Sequence, residues 1–100
     1  MKTSAKTSSE LAKILFEIGY FDEMNGVPFK PRAYQLASES VAALGNEIKD
    51  AWRKGGIKTL KDMPGIGQSI AEKIDEFFKT GKVKAYQEMK KKFPVDIWSL

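Results

Sequence analysis

The chain of 100 residues contains neither cysteine nor histidine. Disulfides, thiolate zinc sites, cysteine nucleophiles and Ser-His-Asp triads are therefore excluded, and any catalysis must run on lysine, tyrosine or carboxylates. The pattern that promises most chemistry is Pro64-Gly65-Ile66-Gly67, placed just ahead of a helix expected from about Ser69 to Thr80. Glycines at such a turn permit positive φ and leave no side chain between backbone and ligand. A turn that feeds a helix N-terminus also presents unpaired N–H groups and the positive end of the helix dipole, which together suit a phosphate. Contacts of this kind hold a sugar-phosphate backbone and carry little sequence information. Ile66 is expected to point inward and pin the turn to the core. Gly-x-Gly by itself reads more readily as a helix corner that happens to use glycines.

Lys73 is the second candidate. It lies on the flank of the apolar stripe formed by Ile70, Ile74, Phe77 and Phe78. Its stem can pack on the core while the amine looks into a groove. An amine nucleophile must shed its proton, which partial desolvation and neighbouring cations promote. The plainer reading is a surface lysine that touches a polyanion. Three other groups are bland. Lys90-Lys91-Lys92 is a charge run at a helix end, where cations favour the dipole. Glu72, Asp75 and Glu76 share a helical face but have lysine neighbours, and read as a solvated face rather than a metal cluster. Trp52 and Trp98 read as packing residues rather than base-stacking ones.

The elements that position these groups are all helical. Ser8 or Ser9 can cap a first helix whose buried stripe is Leu11, Ile14, Leu15, Ile18 and Phe21, and which Asn25-Gly26 stops. Pro28 and Pro31 bracket a rigid connection, and Pro31 suits the first turn of a second helix. Ala33, Tyr34, Ala37, Val41 and Leu44 form that helix's stripe, and Gly45 closes it. Asn46 can cap a third helix carrying Ile48, Ala51 and Trp52, which ends at Gly55-Gly56. Thr59 can cap a short helix, with Asp62 in an imperfect capping box. Gly81 is the natural stop of the helix that follows the Pro-Gly-Ile-Gly turn. No segment alternates strictly between apolar and polar residues. The expected class is all-α: a compact bundle of four main short helices plus a short hairpin helix. Residues 1–8 are expected to be a disordered lead-in, and 9–98 a single domain with the hairpin at 59–80.

Composition and charge narrow the partners. Hydrophobic residues make up 42% of the chain and charged ones 30%, as in ordinary globular domains. The polar N-terminus, MKTSAKTSS, is no secretory signal, and no apolar run approaches the roughly 18 residues of a membrane span. The net charge of +4 is unevenly spread. Residues 1–50 hold 6 basic and 7 acidic side chains, whereas residues 51–100 hold 11 and 6. A basic C-terminal half points to a polyanion, with nucleic acid ahead of an acidic membrane surface.

The segment LKDMPGIGQSIAEKI, Leu60 to Ile74, resembles a helix-hairpin-helix DNA-binding motif, with the small Ala71 where its two helices touch. PGIGQSIAEKIDEFFKTGKV, together with FKPRAYQLAS from Phe29 to Ser38, is similar to the N-terminal domain of the family X DNA polymerases, the DNA polymerase beta group. The resemblance covers about residues 9–98. It implies a helical domain that holds the 5′-phosphate side of a DNA gap without reading sequence. Backbone N–H groups of Gly65, Ile66, Gly67 and Ser69, with Gln68 at the helix start, would contact the DNA. Lys30 matches a family lysine that contacts the 5′-phosphate, Tyr34 a tyrosine beside the reacting sugar, and Lys84 a basic stretch. The resemblance also implies a monovalent cation, K⁺ or Na⁺, on main-chain oxygens of Lys61, Met63 and Ile66 when DNA is bound, with no cofactor required. Oxygen ligands suit such a hard ion.

Some family members use this domain as a 5′-deoxyribose phosphate lyase through a Schiff-base lysine, and that position is Lys73 here. The sequence departs from the lyase pattern at three places. Ser69 stands where the family has a phosphate-binding lysine, Gln35 where it has a basic residue, and Phe29 where it has histidine. Serine can hydrogen-bond a phosphate but adds no charge. Three readings follow: a pure DNA-binding domain, a lyase, and a helical protein-interaction module. The first is favoured over the third by the basic half and the Gly-Ile-Gly turn, and over the second by Ser69 and Gln35. The palm carboxylates of a polymerase are absent, and FPVDIWSL resembles the point where the family continues, so a longer polymerase chain is expected. A monomer is expected too, cytoplasmic and nucleoid-associated in a bacterium or archaeon, nuclear in a eukaryote.

Overall fold

The computed structural model describes residues 8–24, 26 and 30–92, with the side chain of Lys30 left out. Residues 1–7, Phe29, Trp98 and the rest of FPVDIWSL lie outside the described residues. Five helices follow in order: α1 (Ser8–Met24), α2 (Lys30–Leu44), α3 (Asn46–Lys61), α4 (Gln68–Thr80) and α5 (Lys84–Lys92). No strand occurs among the described residues, so the class is all-α.

Helix α1 is the central element. Leu11, Ile14, Leu15, Ile18 and Phe21 are all buried, as their helical spacing predicts. Full burial of one such side chain contributes about 1.5–3 kcal/mol. Helix α2 runs antiparallel to α1, and three contacts fix the register. The Ser8 hydroxyl donates to Gly45 O at 2.6 Å, and the Ser38 hydroxyl to Ala12 O at 2.7 Å. At the other end Gly19 lies against Pro31 and Tyr34. The α2 stripe is narrower than expected: Tyr34, Ala37 and Val41 are buried and Leu44 is half-buried, but Ala33 faces solvent. Pro31 sits in the first turn of α2, where its missing N–H removes no helical bond.

The serine at the start of α1 does not cap it. Ser8 is already helical, and its hydroxyl holds the junction between α2 and α3 instead. Asn46 does not cap α3 either. Gly45 occupies the N-cap position, with φ 58° and ψ −125°, and no side chain caps the helix. The expected stop at Gly55-Gly56 takes the form of a kink: Gly56 has φ 61° and ψ −139° inside α3, which is two helical arms in succession. The second arm, residues 57–61, is the hairpin's first helix. Thr59 therefore lies inside it rather than capping it, because the break falls three residues earlier. Asp62 serves at its C-terminal end, its N–H donating to Thr59 O at 3.2 Å. Beyond α4, residues 84–92 add the helix α5, antiparallel to α1. The Tyr86 hydroxyl there donates to the buried carboxylate of Glu17.

Candidate nucleic-acid interface

The hairpin joins the second arm of α3 to α4 through Asp62 to Gly67. Leu60, Ile66, Ile70 and Ala71 are all buried. Ile66 points inward as its place between two glycines suggests, and Ala71 lets the two helices approach. Met63 is half-buried at the edge of the same core. The turn closes on itself, since the Ile66 N–H donates to Met63 O at 3.2 Å and the Met63 N–H to Leu60 O at 3.0 Å. Of the two glycines only Gly65 has positive φ, at 81°. Gly67 is extended, with φ −94°, and any residue could adopt that backbone. Its use lies in the empty space before it: a Cβ there would meet nothing within 4 Å.

Gly67 is the N-cap of α4, and no side chain caps the helix. The first intrahelical bond, from Ala71 N–H to Gly67 O, measures 2.9 Å. The N–H groups of Gly67, Gln68, Ser69 and Ile70 precede it, and the dipole's positive end lies among them. Such a terminus is suited to an anion, and Gly67, Gln68 and Ser69 are exposed to solvent. Helix α2 braces it. The Ser40 hydroxyl donates to Pro64 O at 2.9 Å, and a Cβ on Gly65 would stand 3.0 Å from that hydroxyl oxygen. Neither Ser40 nor Leu36, whose main chain flanks Gly65, carries a signal in its own sequence surroundings; only the packing of α2 on the hairpin brings them here.

One turn into α4, Lys73 lies beside Tyr34 of α2. Its Nζ stands 5.8 Å from the Tyr34 ring centroid and 3.4 Å from the Ser69 hydroxyl. Tyr34 is only 5% exposed, so its ring is chiefly a core group that offers one face to the ammonium. Lys73, Ser69 and Tyr34 thus form one cluster next to the hairpin. Lys84 is not part of it. That residue begins α5, past the far end of α4, and its main-chain N–H is capped by the Glu76 carboxylate at 2.8 Å. Gln68 holds Glu72 at 2.7 Å, and Asp75 pairs with Lys79 at 3.2 Å while accepting the Trp52 indole N–H at 2.8 Å. The α4 carboxylates are thus engaged separately, and no metal-binding group of three occurs among the described residues. Trp52 packs on Phe78 with ring centroids 5.2 Å apart, a packing role as expected.

A helical domain with two helices joined by a glycine turn, presenting an uncapped helix N-terminus beside a lysine, is of the class that holds nucleic-acid backbones. The chain matches the family described as "Helix-hairpin-helix domain" over residues 6–83, and it belongs to that family. It is a helix-hairpin-helix DNA-binding domain. Among the described residues no helix is long and apolar enough to cross a membrane.

Proposed function

We propose that this domain binds DNA without sequence preference through the phosphate backbone, at gaps bearing a 5′-phosphate, as the N-terminal domain of a family X repair polymerase. One observation carries the backbone-binding reading: the N-terminus of α4 has no side-chain cap and opens onto empty space at Gly67. Its N–H groups suit phosphate oxygens, and contacts to phosphate carry no sequence information. Lys30, Lys73 and Lys84 would add charge, and the main-chain oxygens of Lys61, Met63 and Ile66 would take a K⁺ or Na⁺ once DNA is bound. The gap and polymerase assignments rest on the likeness of FKPRAYQLAS and PGIGQSIAEKIDEFFKTGKV to that family. The test is a binding titration on intact, nicked and gapped duplexes with and without the 5′-phosphate. Tighter binding to the phosphorylated gap is expected, with equal affinity for scrambled sequences. Equal affinity for intact duplex and phosphorylated gap would overturn the gap assignment.

The Lys73–Tyr34–Ser69 cluster favours a second reading, a 5′-deoxyribose phosphate lyase. The Lys73 amine would add to C1′ of the opened sugar and lose water to form an imine. Loss of a C2′ proton to solvent would then break the C3′–O bond, and water would release the lysine. Ser69 offers the phosphate a hydroxyl but no charge. Borohydride trapping on gapped DNA carrying the sugar phosphate tests this: a covalent adduct that Lys73→Ala abolishes supports the lyase, and salt-sensitive binding with no adduct excludes it.

A further inference from the structure

At the opposite end of α4 from the hairpin, the turn 81–83 opens onto a cavity of about 240 Å³ between α1 and α5. Three lysines from three elements line it: Lys13 of α1, Lys82 of the turn and Lys90 of α5. One carboxylate, Glu10, shares the lining and is engaged in an interaction of its own. The cavity therefore carries a surplus of positive charge. Its wall is fixed in place. The Tyr86 hydroxyl is anchored on Glu17, a side chain 5% exposed. Lys90 Nζ stands 5.3 Å from the centroid of the same tyrosine ring, and Gln87 adds an amide. Three ammonium groups lining one small site with a single carboxylate among them leave a net positive charge that favours a further anion.

We propose that this cavity receives a second backbone phosphate of the same DNA that the hairpin holds. The proposal rests on the backbone-binding reading above and extends it to a second site. Helix α4 runs from the hairpin to the turn 81–83 and so joins the two sites, with Ser69, Lys73 and Thr80 at helical spacing along it and Glu76 among them, its carboxylate held by the Lys84 N–H. Thirteen residues of helix cover about 20 Å. One DNA strand covers that distance in about six steps of 3.4 Å. A short duplex therefore fills one site and a longer one fills both.

Amide chemical shifts of the ¹⁵N-labelled chain test this, with duplexes of about 5 and about 14 base pairs. The long duplex is expected to move the amides of Gly67 and Ser69 together with those of Lys82, Val83 and Gln87; the short one moves the first group alone. The variant Lys13→Gln/Lys82→Gln/Lys90→Gln changes only exposed side chains. It is expected to lose the second group of shifts, keep the first, and lower the log K–log salt slope by about 1, the share of one phosphate. A long duplex that moves the hairpin amides alone overturns the second site and leaves the backbone-binding reading standing. Cavity amides that respond to inorganic phosphate but not to DNA also overturn it, in favour of a pocket for a small phosphate compound. A chain whose hairpin and cavity amides both ignore DNA overturns both readings.

Discussion

Gly19 and Tyr34 share one place at the crossing of α1 and α2: a Cβ on Gly19 would stand 2.9 Å from the Tyr34 Cβ and 3.2 Å from Pro31 O. Glycine in the middle of a helix lowers its stability by roughly 0.5–1 kcal/mol relative to alanine. Here the missing side chain lets α2 approach α1 and seats the ring on which Lys73 rests.

Gly19→Ala should therefore destabilise the domain despite its better helix propensity. The crowded atoms are a main-chain oxygen and the Cβ next to the backbone, which cannot swing away. Overpacking of this kind costs about 1–3 kcal/mol, against a propensity gain of about 1 kcal/mol. Urea unfolding should show a net loss of about 1 kcal/mol. A variant more stable than the parent would show that the helix crossing is not set by Gly19.

The two hairpin glycines should separate stability from binding. Gly65 has φ 81° and would press a Cβ against Ser40, so Gly65→Ala is expected to cost about 1–2 kcal/mol in thermal unfolding and to weaken DNA binding with it. Gly67 is extended with open space around it. Gly67→Ala should cost only about 0.5–1 kcal/mol, alanine being the poorer N-cap, yet lower DNA affinity beyond that because its methyl group stands where a phosphate would approach. Unchanged affinity in Gly67→Ala would move the phosphate away from the α4 terminus.

Binding should follow salt and ignore sequence. Each phosphate neutralised contributes a slope of about −0.9 to log K against log salt on duplex DNA. Lys73→Ala is expected to shallow the slope by about 1, equally on unrelated sequences. An effect that depends on the duplex sequence would point to a base contact.

Tyr86→Phe should leave the Glu17 carboxylate buried without its donor. Loss of one partner of a buried pair costs about 1–3 kcal/mol. Urea unfolding of Tyr86→Phe is expected to show that loss, with α5 amides exchanging faster in hydrogen exchange. A neutral Tyr86→Phe would mean that the ring alone holds α5 on α1.

The helix class, the α1 and α4 stripes, and the inward Ile66 were all legible in the sequence, because each depends on spacing within one element. The caps at Asn46 and Thr59 were misread because the chain breaks at Gly45 and Gly56 instead, and the cap at Ser8 for a different reason. Tertiary contacts decide where a polar side chain goes, and Ser8 serves the α2–α3 junction at Gly45, 37 residues away. Similarly, the α1–α5 cavity was not visible. Lys13, Lys82 and Lys90 lie far apart in the chain, and each looks like an ordinary surface lysine until the helices pack. Lys73 and Tyr34 were each singled out from a family resemblance, but their contact was not foreseen, and Gly19, which lets α2 approach α1 at Tyr34, gave no local sign.

The backbone at Gly45 and Gly56 has the opposite handedness from ordinary extended chain: (58°, −125°) and (61°, −139°) mirror the polyproline region. Nothing within 4 Å would meet a Cβ at either position. The restriction there is thus one of chirality rather than space. An L-residue at these half-exposed sites is strained, while the dihedral angles are ones that its mirror image prefers. A chemically synthesised chain with D-alanine at position 45 or 56 should keep the same corners and gain about 0.4–1 kcal/mol, because the unfolded chain loses freedom that glycine allowed it.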